Sequence, residues 1–156
     1  LNDKDKQLNN QVKCSGRREV LSKERLAEVK KTITESMRYV KPYTGPSRTW
    51  FANQNSLREG CNRLSAIVSA LPVNRQTAEI LVKLLLRLDK KLCVGGVDDS
   101  NGIVGGFMTE VVEMLEEFVK IDSDCIKTFG SLAGRETCFG WEEPLIRILD
   151  ERDYKE

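Results

Sequence analysis

The most apolar part of the chain covers residues 71–93 and reads LPVNRQTAEILVKLLLRLDKKLC. Its apolar side chains recur at steps of three and four, which is the period of one helix face. The residues at this spacing are Ala78, Leu81, Leu85, Leu88 and Leu92. Ile80 and Leu84 widen the apolar face, and Asn74 is suited to cap the first turn. Because a helix that is apolar over most of its circumference packs among other helices, we predict that this segment is the central helix of an all-helical core.

The rest of the chain also predicts helices. Apolar residues at helical spacing mark helices over residues 22–40, 56–70 and 107–120, and two shorter helices follow, one ending at Gly134 and one beginning near Pro144. No segment alternates apolar and polar residues as a half-buried strand would. The sequence therefore predicts an all-α fold of six helices, or seven with an N-terminal one, arranged as an antiparallel array or bundle.

Two local patterns predict where these helices begin and how they pair. Ser56 and Glu59 have the spacing of a capping box, which places a helix start at residue 56. The connection around Pro72 is short, so the helices on either side should be antiparallel neighbours. Gly60 costs the first of these helices about 1 kcal/mol relative to Ala, and it would allow a neighbouring element to approach closely.

Residues 94–106 read VGGVDDSNGIVGG and predict a connecting loop, because five glycines leave the backbone free to turn. A phosphate-binding loop needs a Gly-Lys-Ser/Thr sequence, and this segment has no lysine. A calcium-binding EF-hand with Gly102 at its sixth position would have Val97 at its first and Met108 at its twelfth. Both of those positions need carboxylates, so neither motif is present.

The chain has no histidine, which removes the usual general base and the commonest metal ligand. The carboxylates of the helix over 107–120 form an acidic outer face that we expect to be solvated. They are Glu110, Glu113, Glu116 and Glu117. No nucleophile–base pair is visible, so we expect a protein that is not an enzyme, with no catalytic residue, no metal site and no cofactor.

Five cysteines are present, an odd number with no Cys-x-x-Cys spacing. They are Cys14, Cys61, Cys93, Cys125 and Cys138. Cys61, Cys93 and Cys125 fall on predicted helices among apolar neighbours, which favours buried free thiols in a reducing compartment over a disulfide or zinc framework.

Residues 1–21 are polar and lysine-rich, and we predict a loosely held arm or an additional helix there. Residues 22–156 are predicted to form a single helical domain. The chain begins with Leu rather than Met, which suggests a piece of a longer protein, and its first residues lack the apolar core of a signal peptide. No apolar run reaches the roughly 20 residues that cross a bilayer. We therefore expect an intracellular location, cytoplasmic or nuclear, away from membranes.

Residues 125–153 resemble an armadillo-type repeat. In that family a helix ends near a Leu-Ala pair, and a small residue then precedes a proline that opens an amphipathic helix with an acidic end. The matching residues are Leu132, Ala133, Gly140, Pro144, Leu145, Ile148, Leu149 and Asp150. The match covers about a fifth of the chain, its link is shorter than usual, and no upstream copy occurs at the period of about 40 residues. The resemblance implies an armadillo- or HEAT-like end to the chain, which binds a partner rather than catalysing a reaction.

Leu71, Pro72 and Asn74, followed by a leucine-rich helix, also resemble the interior of Rho GTPase-activating domains. Those domains carry an arginine finger on an upstream loop, in an Arg-x-Ser-Gly setting. The segment Cys14-Ser15-Gly16-Arg17 contains some of these residue types in a different order. The resemblance therefore does not include the arginine finger.

The two parts of the chain differ sharply in charge. Residues 1–94 carry 19 Lys and Arg against 9 Asp and Glu, whereas residues 95–156 carry 6 against 15, which gives net charges of +10 and −9. Such polarity favours a contact between unlike surfaces. We expect a protein–protein interaction or scaffold module of a larger intracellular complex, with a protein or peptide partner. The predicted partner-binding residues are Arg25, Lys30, Arg38, Lys41, Arg48, Trp50 and Phe51.

The alternative is a helical domain that binds nucleic acid through the same basic half, because lysine and arginine neutralise phosphates. The residues available for this are Arg17, Arg18, Lys23, Lys30, Lys31, Lys90 and Lys91. Carboxylates are interleaved with them and no recognition motif is visible. The sequence does not identify the oligomeric state, and it leaves the choice between a protein and a nucleic acid open.

Overall fold

Helices form all the regular secondary structure in the part of the chain that the computed structural model describes, residues 11–155. The elements in chain order are α1 (Lys23–Met37), a first 3₁₀ segment (Ser47–Thr49), α2 (Trp50–Ser69), α3 (Arg75–Cys93), α4 (Ile103–Ile121), a second 3₁₀ segment (Ser123–Leu132) and α5 (Glu143–Lys155). This confirms the all-α prediction. Within residues 11–155, no helix has the length and apolar character needed to span a bilayer.

Two of the predicted helix starts are confirmed by their caps. The Ser22 side chain accepts a hydrogen bond from the Arg25 amide at 3.1 Å, so α1 begins at Lys23. The Asn74 side-chain oxygen caps α3 by accepting a hydrogen bond from the Thr77 backbone amide at 2.9 Å. The Asn74 backbone amide donates in return to the Thr77 hydroxyl at 3.2 Å. This reciprocal capping box fixes where α3 begins.

Two other predicted starts are wrong. The pattern at Ser56 and Glu59 is not a capping box, because α2 already begins at Trp50 and the Ser56 hydroxyl donates instead to the Tyr39 carbonyl at 2.7 Å. The helix predicted from residue 107 begins at Ile103. Its first amides are satisfied from outside the helix, since the Asp99 carboxylate accepts from the amides of residues 104 and 105 at 2.8 Å each. The start of α4 is thus fixed by a local side chain, whereas the Ser56 side chain binds outside its own helix.

The core is shared between α3 and α4. In α3, the side chains of Leu81, Leu85 and Leu88 are fully buried, and in α4 those of Met108 and Leu115 are equally enclosed. However, α4 packs closely against α2, α3, the second 3₁₀ segment and α5, whereas α3 packs closely against α4 and that 3₁₀ segment. The central position predicted for α3 therefore belongs to α4.

The packing of α2 also differs from the sequence prediction. The close neighbours of α2 are α1 and α4, and the predicted pairing of α2 with α3 is not among the close contacts of the described chain. Gly60 lets α2 approach the residues that follow α1, because an added Cβ atom would lie 2.8 Å from Tyr39 Cβ and 3.2 Å from Val40 Cγ2. Gly60 thus permits the close approach that was expected of it.

Residues 11–21 are tied to the helical core rather than loosely held. The Val12 amide donates to Glu110 at 3.1 Å, the Ser15 hydroxyl donates to the Leu71 carbonyl at 2.8 Å, and Arg17 donates to the Ala70 carbonyl at 2.8 Å. Arg18 forms an ion pair with Asp122 at 3.7 Å. This segment therefore crosses from α4 to the α2–α3 connection. The first ten residues of the predicted arm lie outside the described residues.

The cysteine prediction is confirmed for two residues and wrong for two others. Cys61 and Cys125 are free and buried, and Cys14 is free and half-buried. Cys93 and Cys138, by contrast, are exposed and joined in a disulfide, with their Cα atoms 5.7 Å apart. The disulfide links the last residue of α3 to the segment before α5. Their pairing depends on tertiary packing, because 45 positions separate them along the chain.

Candidate functional site

Helix α1 lies at one side of the helical array, and three surface openings border it. The first has a volume of about 160 Å³ and lies between the start of α1 and the α2–α3 connection. The second, of about 230 Å³, lies between α1 and α3. The third, of about 470 Å³, lies between the end of α1 and α2. Among the described elements, α2 is the one that packs closely on α1.

The opening between α1 and α3, hereafter the α1–α3 groove, has an apolar floor and a basic rim. Its floor consists of Ile33, Ile80 and Leu84, whose exposed fractions are 3%, 7% and 1%. Its rim carries three cations and a threonine, namely Lys30, Lys83, Arg87 and Thr34. Of the predicted site residues, only Lys30 lines this groove.

The rim cations are held near the groove by their neighbours. The Lys83 ammonium lies 2.9 Å from the Glu79 carboxylate, and Arg87 donates to the Thr34 hydroxyl at 3.5 Å across the groove. The hydrogen bond from Lys83 lowers the pKa of Glu79, and the charges of Lys30 and Arg75 add smaller effects in the same direction. Lys30 therefore acts electrostatically on the α3 side of the groove, although it belongs to α1.

The larger opening between α1 and α2 is polar, and it contains two predicted site residues. Arg38 and Lys41 line it together with Glu35, and Arg63 crosses it from α2. The guanidinium of Arg63 lies 4.6 Å from the centre of the Tyr39 ring and pairs with Glu59 at 2.8 Å. Because Arg63 is already engaged and Glu35 opposes the remaining cations, this cavity is a weaker anion site than its three basic residues suggest.

The opening near the start of α1 contains one predicted residue. Arg25 lines it beside Leu21, Val29 and Pro72, and the Arg25 guanidinium lies 4.0 Å from the Glu28 carboxylate. An exposed ion pair of this kind contributes little to stability or specificity. The opening is also the smallest of the three.

The remaining predicted residues lie away from all three openings. Arg48 is exposed on the first 3₁₀ segment. Trp50 is half-buried, with its indole N–H donating to Asp98 at 3.1 Å. Phe51 has an exposed fraction of 72% and packs edge-on against Trp50, with ring centres 5.2 Å apart. One exposed ring beside one arginine is a small surface compared with the groove.

The structure therefore divides the predicted site residues among four places and brings only Arg38 and Lys41 into one cavity. Lys83 and Arg87 were not predicted, although they line the α1–α3 groove with Lys30. Their signal in the sequence is a repeated unit on α3, in which an apolar residue is followed three positions later by a cation: Ile80 with Lys83, and Leu84 with Arg87. That signal acquires meaning once α1 is known to lie beside this face.

Comparison with protein families, curated proteins and solved structures finds no match for this chain. The function proposed below therefore rests on the geometry of its own residues.

Proposed function

We propose that this chain is a protein-interaction module and that the α1–α3 groove binds a helical segment of a partner protein. The observation that supports this is the combination of a buried apolar floor with three cations along its two edges, Lys30 on α1 and Lys83 and Arg87 on α3. The partner's own apolar side chains would leave water as they enter the groove, and the charges around it would select the partner and orient it.

The size of the groove favours side chains over a small molecule. Its volume of about 230 Å³ falls below the roughly 300–1,000 Å³ of small-molecule sites. A helix that lies in a groove inserts apolar side chains spaced three and four residues apart. Lys83 is paired with Glu79 and Arg87 contacts Thr34, so Lys30 is the rim cation best placed to attract an Asp or Glu beside them. The partner proposed here is therefore an acidic amphipathic helix.

Nucleic acid is the less favoured partner, because several of the cations assigned to it have other contacts. Arg17 donates to the Ala70 carbonyl, Arg18 pairs with Asp122, and Lys91 donates to the Val40 carbonyl at 3.2 Å. An apolar floor also has no counterpart in phosphate binding.

Selection from a displayed library of helical peptides tests the proposal. Peptides enriched on the wild-type chain should carry apolar residues at helical spacing with Asp or Glu beside them. Their affinity, measured by fluorescence anisotropy, should fall at least roughly tenfold in Lys30→Glu, since like charges would then face each other across the interface.

Lys31→Glu provides a matched control, because Lys31 is exposed beside Lys30 on the same helix and lines none of the three openings described above. Equal losses in Lys30→Glu and Lys31→Glu would contradict the proposed groove. Enrichment of peptides without acidic residues would contradict the proposed partner. Tight, salt-dependent binding of single- or double-stranded nucleic acid by the same chain would support the other class of partner.

A further inference from the structure

The disulfide between Cys93 and Cys138 lies beside a buried carboxylate. Asp89, one turn before Cys93 on α3, has an exposed fraction of 9%. Its Oδ1 atom accepts from the Cys138 amide at 3.0 Å and from the Trp141 indole N–H at 2.9 Å. One ligand atom from each of Asp89, Cys93 and Cys138 lies within 4.8 Å of the others.

Among the described residues, Asp89 forms no ion pair within 4.0 Å. Burying a carboxylate is unfavourable unless it is hydrogen-bonded and neutralised. The two donors satisfy one oxygen and also fix the orientation of the carboxylate. Hydrogen bonds of this kind commonly hold a metal-binding carboxylate in place.

We propose that reduction of this disulfide creates a zinc site formed by Asp89, Cys93 and Cys138. Two thiolates and a carboxylate are a ligand set that Zn²⁺ accepts, with a water molecule completing the tetrahedron. The two sulfurs of such a site lie about 3.8 Å apart when each Zn–S bond is about 2.3 Å. Because bonded sulfurs cannot reach that separation, the disulfide and the metal exclude each other.

The conversion is a two-electron reduction followed by proton release. A thiolate of a dithiol reductant attacks one sulfur, the Cys93–Cys138 bond breaks, and the second thiol of the reductant closes its own disulfide. The protein gains two electrons and two protons and the dithiol loses them. Zinc then displaces both thiol protons to the solvent as the two Zn–S bonds form.

Both sulfurs are accessible for this reaction, since Cys93 and Cys138 are exposed. The other cysteines are less suitable. Cys61 and Cys125 are buried, and burial raises the pKa of their thiols to about 12 and about 11. Zinc added to the reduced protein should therefore bind at Asp89, Cys93 and Cys138.

Zinc analysis of the purified chain tests this proposal. The protein is divided, one portion is reduced with a phosphine and desalted under anaerobic conditions, and both portions are incubated with Zn²⁺ and desalted again. Elemental analysis should find one zinc per reduced chain and none per oxidised chain. Co²⁺ in place of Zn²⁺ should give a thiolate-to-metal charge-transfer band in the reduced protein alone.

Variants decide which residues bind the metal. Cys138→Ser should abolish tight binding, and Asp89→Asn should weaken it at least roughly tenfold, whereas Cys14→Ser should bind like the wild type. Because Asp89 is buried, circular dichroism of Asp89→Asn must first show unchanged helix content. If Asp89→Asn fails to fold, Cys138→Ser still tests the site, because Cys138 is exposed and its replacement leaves the core unchanged. A reduced chain that binds no zinc, or zinc binding that survives in Cys138→Ser, would overturn the proposal.

Discussion

Replacing Trp141 with Phe removes one of the two donors to the buried Asp89 carboxylate. Trp141 has an exposed fraction of 5%, and its indole N–H lies 2.9 Å from Asp89 Oδ1. A hydrogen bond to a charged group contributes about 1.5–3 kcal/mol. The phenyl ring has two fewer carbons than the indole, which adds a loss of roughly 1.5 kcal/mol at about 0.8 kcal/mol per buried CH₂ group. We therefore expect the free energy of unfolding to fall by about 3–4.5 kcal/mol.

The chain contains a matched control for this change. Trp50 also donates its indole N–H to a carboxylate, that of Asp98, at 3.1 Å. Trp50 is only half-buried, and water can replace its hydrogen bond at Asp98 once the indole is removed. Trp50→Phe makes the same chemical change, so the difference between the two variants isolates the effect of burial.

Urea denaturation and thermal denaturation, both followed by far-ultraviolet circular dichroism, measure the two losses, with the disulfide kept oxidised throughout. In the thermal experiment Trp141→Phe should lower the melting temperature by roughly 6–18 °C, because 1 kcal/mol corresponds to about 2–4 °C in a domain of this size. Trp50→Phe should have a clearly smaller effect. Equal losses in the two variants, or a loss below about 1 kcal/mol in Trp141→Phe, would refute the reasoning.

Three further predictions concern packing, capping and thiol chemistry. Gly60→Ala should destabilise the chain by about 1–3 kcal/mol, since the new methyl group would overpack the contact between α2 and the end of α1. Gly106→Ala, whose Cβ would meet nothing within 4 Å, should stabilise the chain by about 0.5–1 kcal/mol in the same urea assay. A change of the same sign in both variants would contradict this prediction. Asn74→Ala should cost about 1–2 kcal/mol through the lost cap of α3, and an unchanged urea midpoint would contradict the capping role. Cys61 and Cys125 should resist alkylation in the native chain, as followed by mass spectrometry, because burial raises the pKa of both thiols. The thiols of the unfolded chain ionise at lower pH, so the free energy of unfolding should fall as the pH rises above about 9. Rapid alkylation of both cysteines in the native chain would contradict their burial.

The helical periodicity of the sequence predicts the fold class and much of the core. The apolar spacing of α3 and the caps at Ser22 and Asn74 act within a few residues of chain, so local rules describe them. The match at Ser56 follows an equally local rule, and it fails because the Ser56 hydroxyl finds a tertiary partner at Tyr39. The central position of α4 depends on how all the helices assemble, which no single segment encodes.

The candidate site could not be predicted from the sequence, because it too depends on how the helices assemble. Lys30 lies more than 40 positions before Lys83 and Arg87 in the sequence, and only the folded chain places them on one groove. Cys93 and Cys138 likewise meet because α3 ends beside the segment before α5. The armadillo-type repeat stays a prediction. Within the region that carries it, residues 123–132 form a 3₁₀ segment.

Isoleucine methyl spectra test the proposed groove most directly, because two of the three openings around α1 contain different isoleucines and the third contains none. Ile33 and Ile80 lie in the α1–α3 groove, whereas Ile67 lines the opening near Arg25 and Ile103 lies on α4. Two-dimensional carbon–proton spectra of methyl-labelled chain would be recorded while an acidic amphipathic peptide from the selection is added. The groove proposal predicts that the methyl signals of Ile33 and Ile80 shift together and saturate with the peptide. Saturating shifts at Ile67 or Ile103, with Ile33 and Ile80 unchanged, would contradict it.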